Sequence, residues 1–282
     1  MQAKAPFKTN MAMIAIVAVC GVVAVILHFV AGAFPIEFFA FPMNLVVAAL
    51  WLLALSELYR RRAESKVAEF MLSQQATYLS LVFSVVGGVA VGIAHTKLTQ
   101  SWWFVAMMLF VMSHIVMITL RGWRNQQGVR WRFLLNHAGL LIALFAGFWG
   151  APDVKELRVP LVEGRPTSEA YVREGQSLPL GYEMELLDFE SSYFENGVPS
   201  DYVAEVKIDG AEVTLRVNNP YCYRLGEDIY LVNYEKDLAG RTHCIVQIVR
   251  DPWQLAMTVG VVMMLVGAVL MFLQGARKGA KL

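Results

Sequence analysis

The chain has 282 residues, 57% of them hydrophobic and 17% charged, and a mean hydropathy of +0.49. That balance excludes an ordinary water-soluble globular protein and makes a bilayer the natural solvent. The net charge of +1 hides an asymmetry, about −9 over residues 150–252 and about +10 over the rest, and an acidic domain is a poor partner for nucleic acid.

Six mostly apolar runs lie near residues 11–32, 43–59, 78–96, 102–120, 133–149 and 253–274. About 18 such residues suffice to cross a hydrocarbon core of about 30 Å, so each run predicts a transmembrane helix. The first is too long for the apolar core of a signal peptide, and no small-residue cleavage site follows it. Lys4, Lys8, Arg60, Arg61, Arg62, Lys66, Arg121, Arg124, Arg130, Arg132, Arg277, Lys278 and Lys281 all fall on one side of an alternating six-span path, against Lys97 alone on the other. The excess of Lys and Arg predicts that both termini are cytoplasmic and that the long polar stretch faces outward. The chain thus divides into a five-helix region (1–149), an extracytoplasmic domain (150–252) and a last span with a short basic tail (253–282).

Polar side chains inside a membrane are costly and tend to be functional. His28 lies toward the outer leaflet, His95 at the outer end of its span, His114 near mid-membrane and His137 just inside the inner boundary. An imidazole at such a depth either hydrogen bonds a neighbouring helix's carbonyl or serves as an axial ligand to haem iron, and the sequence leaves both open. Trp102-Trp103 and Phe148-Trp149 stand where interfacial anchors belong. The surrounding sequence is not W-W-D, a haem-handling motif. The fourteen Met residues read as core filler. Gly87-Gly88 is a weak sign of an interrupted helix of the kind transporters use, but no repeat accompanies it.

Residues 150–252 hold ten Lys/Arg and nineteen Asp/Glu, a net of about −9. Alternating apolar and polar residues predict strands over 154–162, 176–193, 202–208, 211–218, 228–233 and 243–249, with Asp209-Gly210 as a hairpin turn. Short strands joined by tight turns imply an antiparallel β-sandwich-like or barrel-like domain, not a βαβ fold, inserted in a polytopic α-helical membrane protein. The G-x-G-x-x-G, Walker A, G-x-S-x-G and H-E-x-x-H motifs are all absent, so no catalytic residues are identified and no metal site is expected. Cys20 lies inside the first span. Cys222 and Cys244 both fall in the outer domain, where a disulfide or a redox pair is possible; they are not a C-x-x-C motif. His243, next to Cys244, reads as a solvated strand residue.

Several segments occur in an order that resembles the ResB-like family of system II cytochrome c biogenesis: F-L-L-N-H-A-G-L from Phe133, V-P-L-V-E-G-R from Val159, L-P-L-G-Y-E-M-E-L-L-D-F-E-S-S-Y-F from Leu178, V-N-N-P-Y from Val217, D-I-Y-L-V-N-Y from Asp228 and V-R-D-P-W from Val249. The resemblance covers roughly residues 130–275. It implies a multi-pass subunit of the bacterial cytoplasmic (inner) membrane that works with a CcsA-like partner carrying the tryptophan-rich motif. Such a pair passes haem b outward for attachment to apocytochrome c, with this chain as a partner-dependent subunit of a holocytochrome c synthetase. By position, His137 of N-H-A-G is the first choice of haem ligand and His114 the second. Two other classes compete: a membrane-tethered extracytoplasmic binding or sensor module without haem, and a transporter. Six spans exceed what a tether needs, and the span centres carry no paired carboxylates for ion coupling.

Overall fold

A computed structural model describes residues 11–94, 98–123, 130–172, 175–193, 195–196, 199–236 and 242–273. These form two units, one of residues 1–152 with 256–282 and one of residues 153–255.

The first unit is helical. Its long helices are α1 (Met11–Ala31), α2 (Met43–Arg60), α4 (Gln74–Ile93), α5 (Trp102–Trp123), α6 (Trp131–Trp149) and α7 (Gln254–Leu273), whose first residues still belong to the second unit. All six are long and apolar enough to cross a membrane. Large apolar side chains such as Phe29, Val30, Leu53, Val85 and Phe272 are exposed, as expected of a multi-pass membrane protein whose outer surface meets lipid. Helix α5 is the hub, with Met112 and Met117 fully buried and contacts to α1, α2, α4 and α6.

Between α2 and α4 lies a short helix, α3 (Lys66–Met71), that the apolar runs do not predict. The Ser65 side chain accepts from the Ala68 N–H and that of Ser73 from the Ala76 N–H, so serine caps start both α3 and α4. Helix α4 runs unbroken through Gly87-Gly88. The glycine there serves packing, because the Met107 side chain occupies the space a Cβ at Gly87 would need.

Helices α6 and α7 approach at backbone distance. A Cβ at Gly139 would stand 2.5 Å from the Met264 nitrogen, and one at Gly260 would stand 2.5 Å from the Ala143 nitrogen. Small residues allow this approach where no hydrophobic effect drives helices together. The Asn136 amide donates to the Met264 carbonyl at 3.0 Å and adds a polar tie.

The second unit is a single antiparallel sheet of eight strands: β1 (Lys155–Val162), β2 (Thr167–Tyr171), β3 (Ser177–Tyr193), β4 (Pro199–Ile208), β5 (Ala211–Arg216), β6 (Tyr221–Arg224), β7 (Glu227–Lys236) and β8 (Thr242–Arg250). They lie in the order β5-β4-β3-β2-β1-β8-β7-β6. The sheet curls until β5 nears β7, a near-barrel that encloses one core in place of two facing sheets. Alternation fills that core: Leu157, Val159 and Leu161 point in from β1, and Cys244, Val246 and Ile248 from β8. Full burial of such an aliphatic side chain is worth about 1.5–3 kcal/mol. Asp209 and Gly210 both have positive φ, 50° and 83°, as the two-residue hairpin turn requires.

Candidate functional site

Within the helical unit, most buried polar groups are paired. The Asn44 amide donates to the Trp149 carbonyl at 3.0 Å, and the Trp51 indole donates to the Ser113 hydroxyl at 3.1 Å. The histidines differ from one another in how far they follow this rule.

His114, halfway along α5, is 2% exposed. Its Nδ1 lies 2.8 Å from the Met71 carbonyl at the end of α3. A carbonyl only accepts, so Nδ1 carries the proton and Nε2 holds the lone pair. That Nε2 is buried and has no hydrogen-bond partner among the described residues. About two turns further along α5, the Arg121 guanidinium donates to the Leu72 carbonyl at 2.9 Å. His114 and Arg121 together hold the α3–α4 elbow against α5.

His137 lies on α6, near its start. Its Nδ1 is 2.9 Å from the Phe133 carbonyl, and its ring stacks on Phe133 with centroids 3.8 Å apart. The same reasoning leaves its Nε2 as the lone-pair nitrogen, here on a half-buried ring. His114 and His137 thus stand on α5 and α6, two helices that pack against each other. An imidazole whose Nδ1–H is held by a carbonyl has the arrangement found in metal-bound histidine, where the second bond fixes ring orientation and tautomer.

The other candidates do not join this pair. His28 is half-buried near the opposite end of the bundle, with an unpartnered Nδ1 and Phe29 at 6.1 Å between ring centroids. His95 lies outside the described residues. His243 stands on β8 in register with Val162 and Glu235. No cluster of three metal-ligating side chains occurs among the described residues.

Among the grooves formed by described residues of the helical unit, two are lined without a histidine. One, of about 600 Å³, is lined by apolar side chains of α1, α4 and α5, among them Val25, Phe83 and Phe110. The other, of about 480 Å³, lies between α5 and α6.

In the β domain, the expected bridge between Cys222 and Cys244 is not formed. Both thiols are free; Cys244 is buried inside the sheet while Cys222 is exposed on β6. Burial pushes the Cys244 thiol up to about 12. Burial followed by the Asp228 carboxylate also raises the Cys222 thiol, so neither has the depressed value of a redox-active cysteine.

Among the described residues, a buried charge cluster that sequence patterning does not reveal lies in the β domain. Glu227, at the start of β7, is 1% exposed. It accepts from the Tyr182 hydroxyl at 2.7 Å, from Arg250 at 3.0 Å and from Arg224 at 2.6 Å. Burial alone would raise its carboxyl, but these donors outweigh it and hold the group below the usual range. The adjoining turn is tight: a Cβ at Gly226 would lie 2.6 Å from the Asp251 carbonyl oxygen. The Gly226 N–H donates to the Gln254 side chain at 2.7 Å. A glutamate in a Gly-Glu-Asp turn reads as solvated, and only the sheet register shows that Arg250 of β8 stands opposite it.

The outward face of β3, β4 and β5 carries Glu183, Glu185, Asp188, Glu190, Asp201, Glu205 and Glu212, with Lys207 and Arg216 among them. Asp188 and Glu205 are directly opposite in register.

A search among curated proteins finds no match. Residues 127–246, which include α6 and the β domain as far as β8, match the model of the ResB-like family. That family is associated with cytochrome c biogenesis, and over this segment, which holds one membrane-length helix and most of the curled sheet, the chain is similar to it.

Proposed function

We propose that this chain is a membrane subunit of a haem-delivery assembly for cytochrome c maturation. In this reading it passes haem b toward the outer face together with a CcsA-like partner, and its β domain docks apocytochrome c. Haem is the cargo. His137 offers Nε2 to the iron, and His114, on the neighbouring helix α5, offers a second imidazole.

The observation that carries the reading is the state of His137: its Nδ1–H is spent on the Phe133 carbonyl, its Nε2 lone pair is left for a ligand, and its ring is only half-buried. The residue also falls inside the family-matched segment. His114 has the same tautomer but is 2% exposed, so iron reaches it only if the α3–α4 elbow moves off α5.

The test is the Soret spectrum of the chain purified with its CcsA-like partner. His137→Ala removes most of the bound haem, and added imidazole restores part of it. The His114→Ala, His137→Ala pair abolishes it. An unchanged Soret band together with normal cytochrome c maturation in the double variant overturns the reading and favours a haem-free binding module.

A further inference from the structure

Both chain connections of the β domain leave from one end of its sheet. β1 starts there at Lys155, and β8 ends there at Arg250, which stands opposite both Lys155 and Glu227. The antiparallel register brings the β6–β7 turn and the β2–β3 hairpin to the same end.

Apolar exposure is concentrated at this end. Among the described residues of the strands and their turns, the exposed large apolar side chains are Tyr171, Leu178, Leu225 and Val232. The first two lie on the β2–β3 hairpin and Leu225 lies in the β6–β7 turn, whereas Val232 is at mid-strand in β7. Leu225 is the extreme, at 66% exposed. It fills the first place of a two-residue turn whose second, Gly226, has a φ of 82°. That place makes no packing demand and is ordinarily given to proline or a polar residue.

The turn is mounted beside the start of a membrane-length helix. The Gly226 N–H donates to the Gln254 side-chain oxygen at 2.7 Å, and the Gln254 amide donates to the Asp228 carboxylate at 2.8 Å. Gln254 is the first residue of α7, and Trp253 before it is the kind of aromatic that marks a membrane–water interface. Leu255, in the first turn of α7, is itself exposed. The charges beside the tip are paired, because Glu227 binds Arg224 at 2.6 Å and Arg250 at 3.0 Å. Pairing lowers the cost of bringing them close to hydrocarbon.

We propose that the β6–β7 turn is a membrane-contacting tip, in which Leu225 inserts among the phospholipids of the bilayer that α7 crosses. Lipid is the occupant because hydrogen bonds tie the turn to the level at which the chain enters the membrane. The contact gives the β domain a hold on the bilayer beside its two chain connections. It does not depend on haem.

Spin labels test the depth of the tip. Leu225→Cys, Val232→Cys and Leu265→Cys each carry a nitroxide in a Cys20→Ala, Cys222→Ser background, with a single chain in each phosphatidylcholine nanodisc. Collisions with oxygen, which concentrates in lipid, are compared with collisions with a water-soluble nickel chelate. The oxygen-to-nickel ratio at Leu225 is expected to be several-fold above that at Val232 and below that at Leu265, an exposed residue in the middle of α7. Leu225→Trp in the otherwise unaltered chain gives a second reading: lipid brominated close to the headgroup quenches the added emission, and quenches none of that added by Val232→Trp.

A Leu225 label as open to nickel as the Val232 label overturns the proposal. So does a label shielded from both reagents, which marks a protein contact, or Leu225→Trp emission untouched by brominated lipid.

Discussion

The Trp253 indole donates to the Asp153 carboxylate across 2.7 Å, joining the last and first turns of the β domain. Asp251 reinforces the closure by accepting from the Trp253 N–H at 2.8 Å and by donating its own N–H to the Gly226 carbonyl at 2.8 Å. The two ends of an inserted domain are thereby fixed to each other by its own side chains. Trp253→Phe keeps the ring and removes the donor, which costs about 1–2 kcal/mol for a hydrogen bond to a charged acceptor that is partly solvated. The expected result is a β-domain melting transition about 4–10 °C lower in the detergent-solubilised full chain. Asp153→Asn, which keeps an acceptor, shifts it less. Unchanged melting in both variants removes the tie from the account.

The Glu227 cluster predicts a stability plateau with two limbs. The folded carboxyl lies below the ordinary 4.5, so its contribution is fully present above about that pH and is lost as pH falls through the depressed folded value. Burial, then the hydrogen bond to Glu227, raises the Tyr182 phenol above 10.0, so its contribution is present below pH 10 and is lost as pH rises toward the elevated folded value. Glu227→Gln should flatten the acid limb and Tyr182→Phe the alkaline one. Glu227→Leu leaves Arg250 half-buried without its carboxylate and is expected to cost about 3 kcal/mol, as removal of one member of a buried pair does. Chemical denaturation of the full chain across pH 3–11 measures both limbs; identical profiles in wild type and variants contradict the assignment.

Much of this architecture was visible in the amino-acid order, for reasons that also explain what was hidden. All six spans emerged because about 20 apolar residues in a row have few uses outside a bilayer. Six of the eight strands were bounded to within a few residues by period-two alternation, whereas β2 and β6, with five and four residues, are too short for a period to show. Helix α3 escaped for the same reason, and with it the Met71 carbonyl that sets the tautomer of His114. The cysteine pair misled because spacing along the chain carries no depth. The alternation that places Val246 and Ile248 inward also buries Cys244, on a face that Cys222 does not share. Glu227 was unreadable because its partners come from residues 182, 224 and 250.

Thiol chemistry should separate Cys222 from Cys244. In membranes, a membrane-impermeant maleimide labels Cys222, which is exposed on β6, and spares Cys244 until the β domain unfolds. Because the Cys222 thiol is raised, labelling near neutral pH is slower than for a free cysteine and accelerates as pH rises. Mass spectrometry of the peptides reads the sites directly. Recovery of a Cys222–Cys244 disulfide from the native protein contradicts the structure.

The α6–α7 contact predicts an asymmetric tolerance among glycines. Gly139→Ala and Gly260→Ala each place a methyl against backbone atoms 2.5 Å away, which can be relieved only by moving one helix off the other. A loss of about 1–3 kcal/mol is expected, the usual range for overpacking. Gly88→Ala is the control, since a Cβ there meets nothing within 4 Å and alanine is the better helix former. Thermal aggregation of the solubilised chain ranks the three. Equal melting of Gly88→Ala and Gly139→Ala shows that the helices do not pack as described.

The acidic face of β3, β4 and β5 leads to a prediction about client docking. Seven carboxylates stand there with two cations, of which Arg216 pairs with Asp201 at 3.6 Å, and Asp188 faces Glu205 across the strand pair, a like-charge arrangement that costs the isolated sheet stability. Asp188→Lys should therefore stabilise the domain by a few tenths of a kcal/mol, through an opposite-charge pair with Glu205. If the face receives a basic apocytochrome, the same substitution, combined with Glu190→Lys, slows association while leaving dissociation nearly unchanged, because rim charges act chiefly on the encounter rate. Raising ionic strength from about 0.01 to 0.15 M shortens the screening length from about 30 to 8 Å and should slow wild-type association more than that of the variant. Stopped-flow mixing of the full chain with an apocytochrome peptide at several salt concentrations measures both. A more stable variant with unaltered association kinetics means that the repulsion is real and that the face serves solubility, not docking.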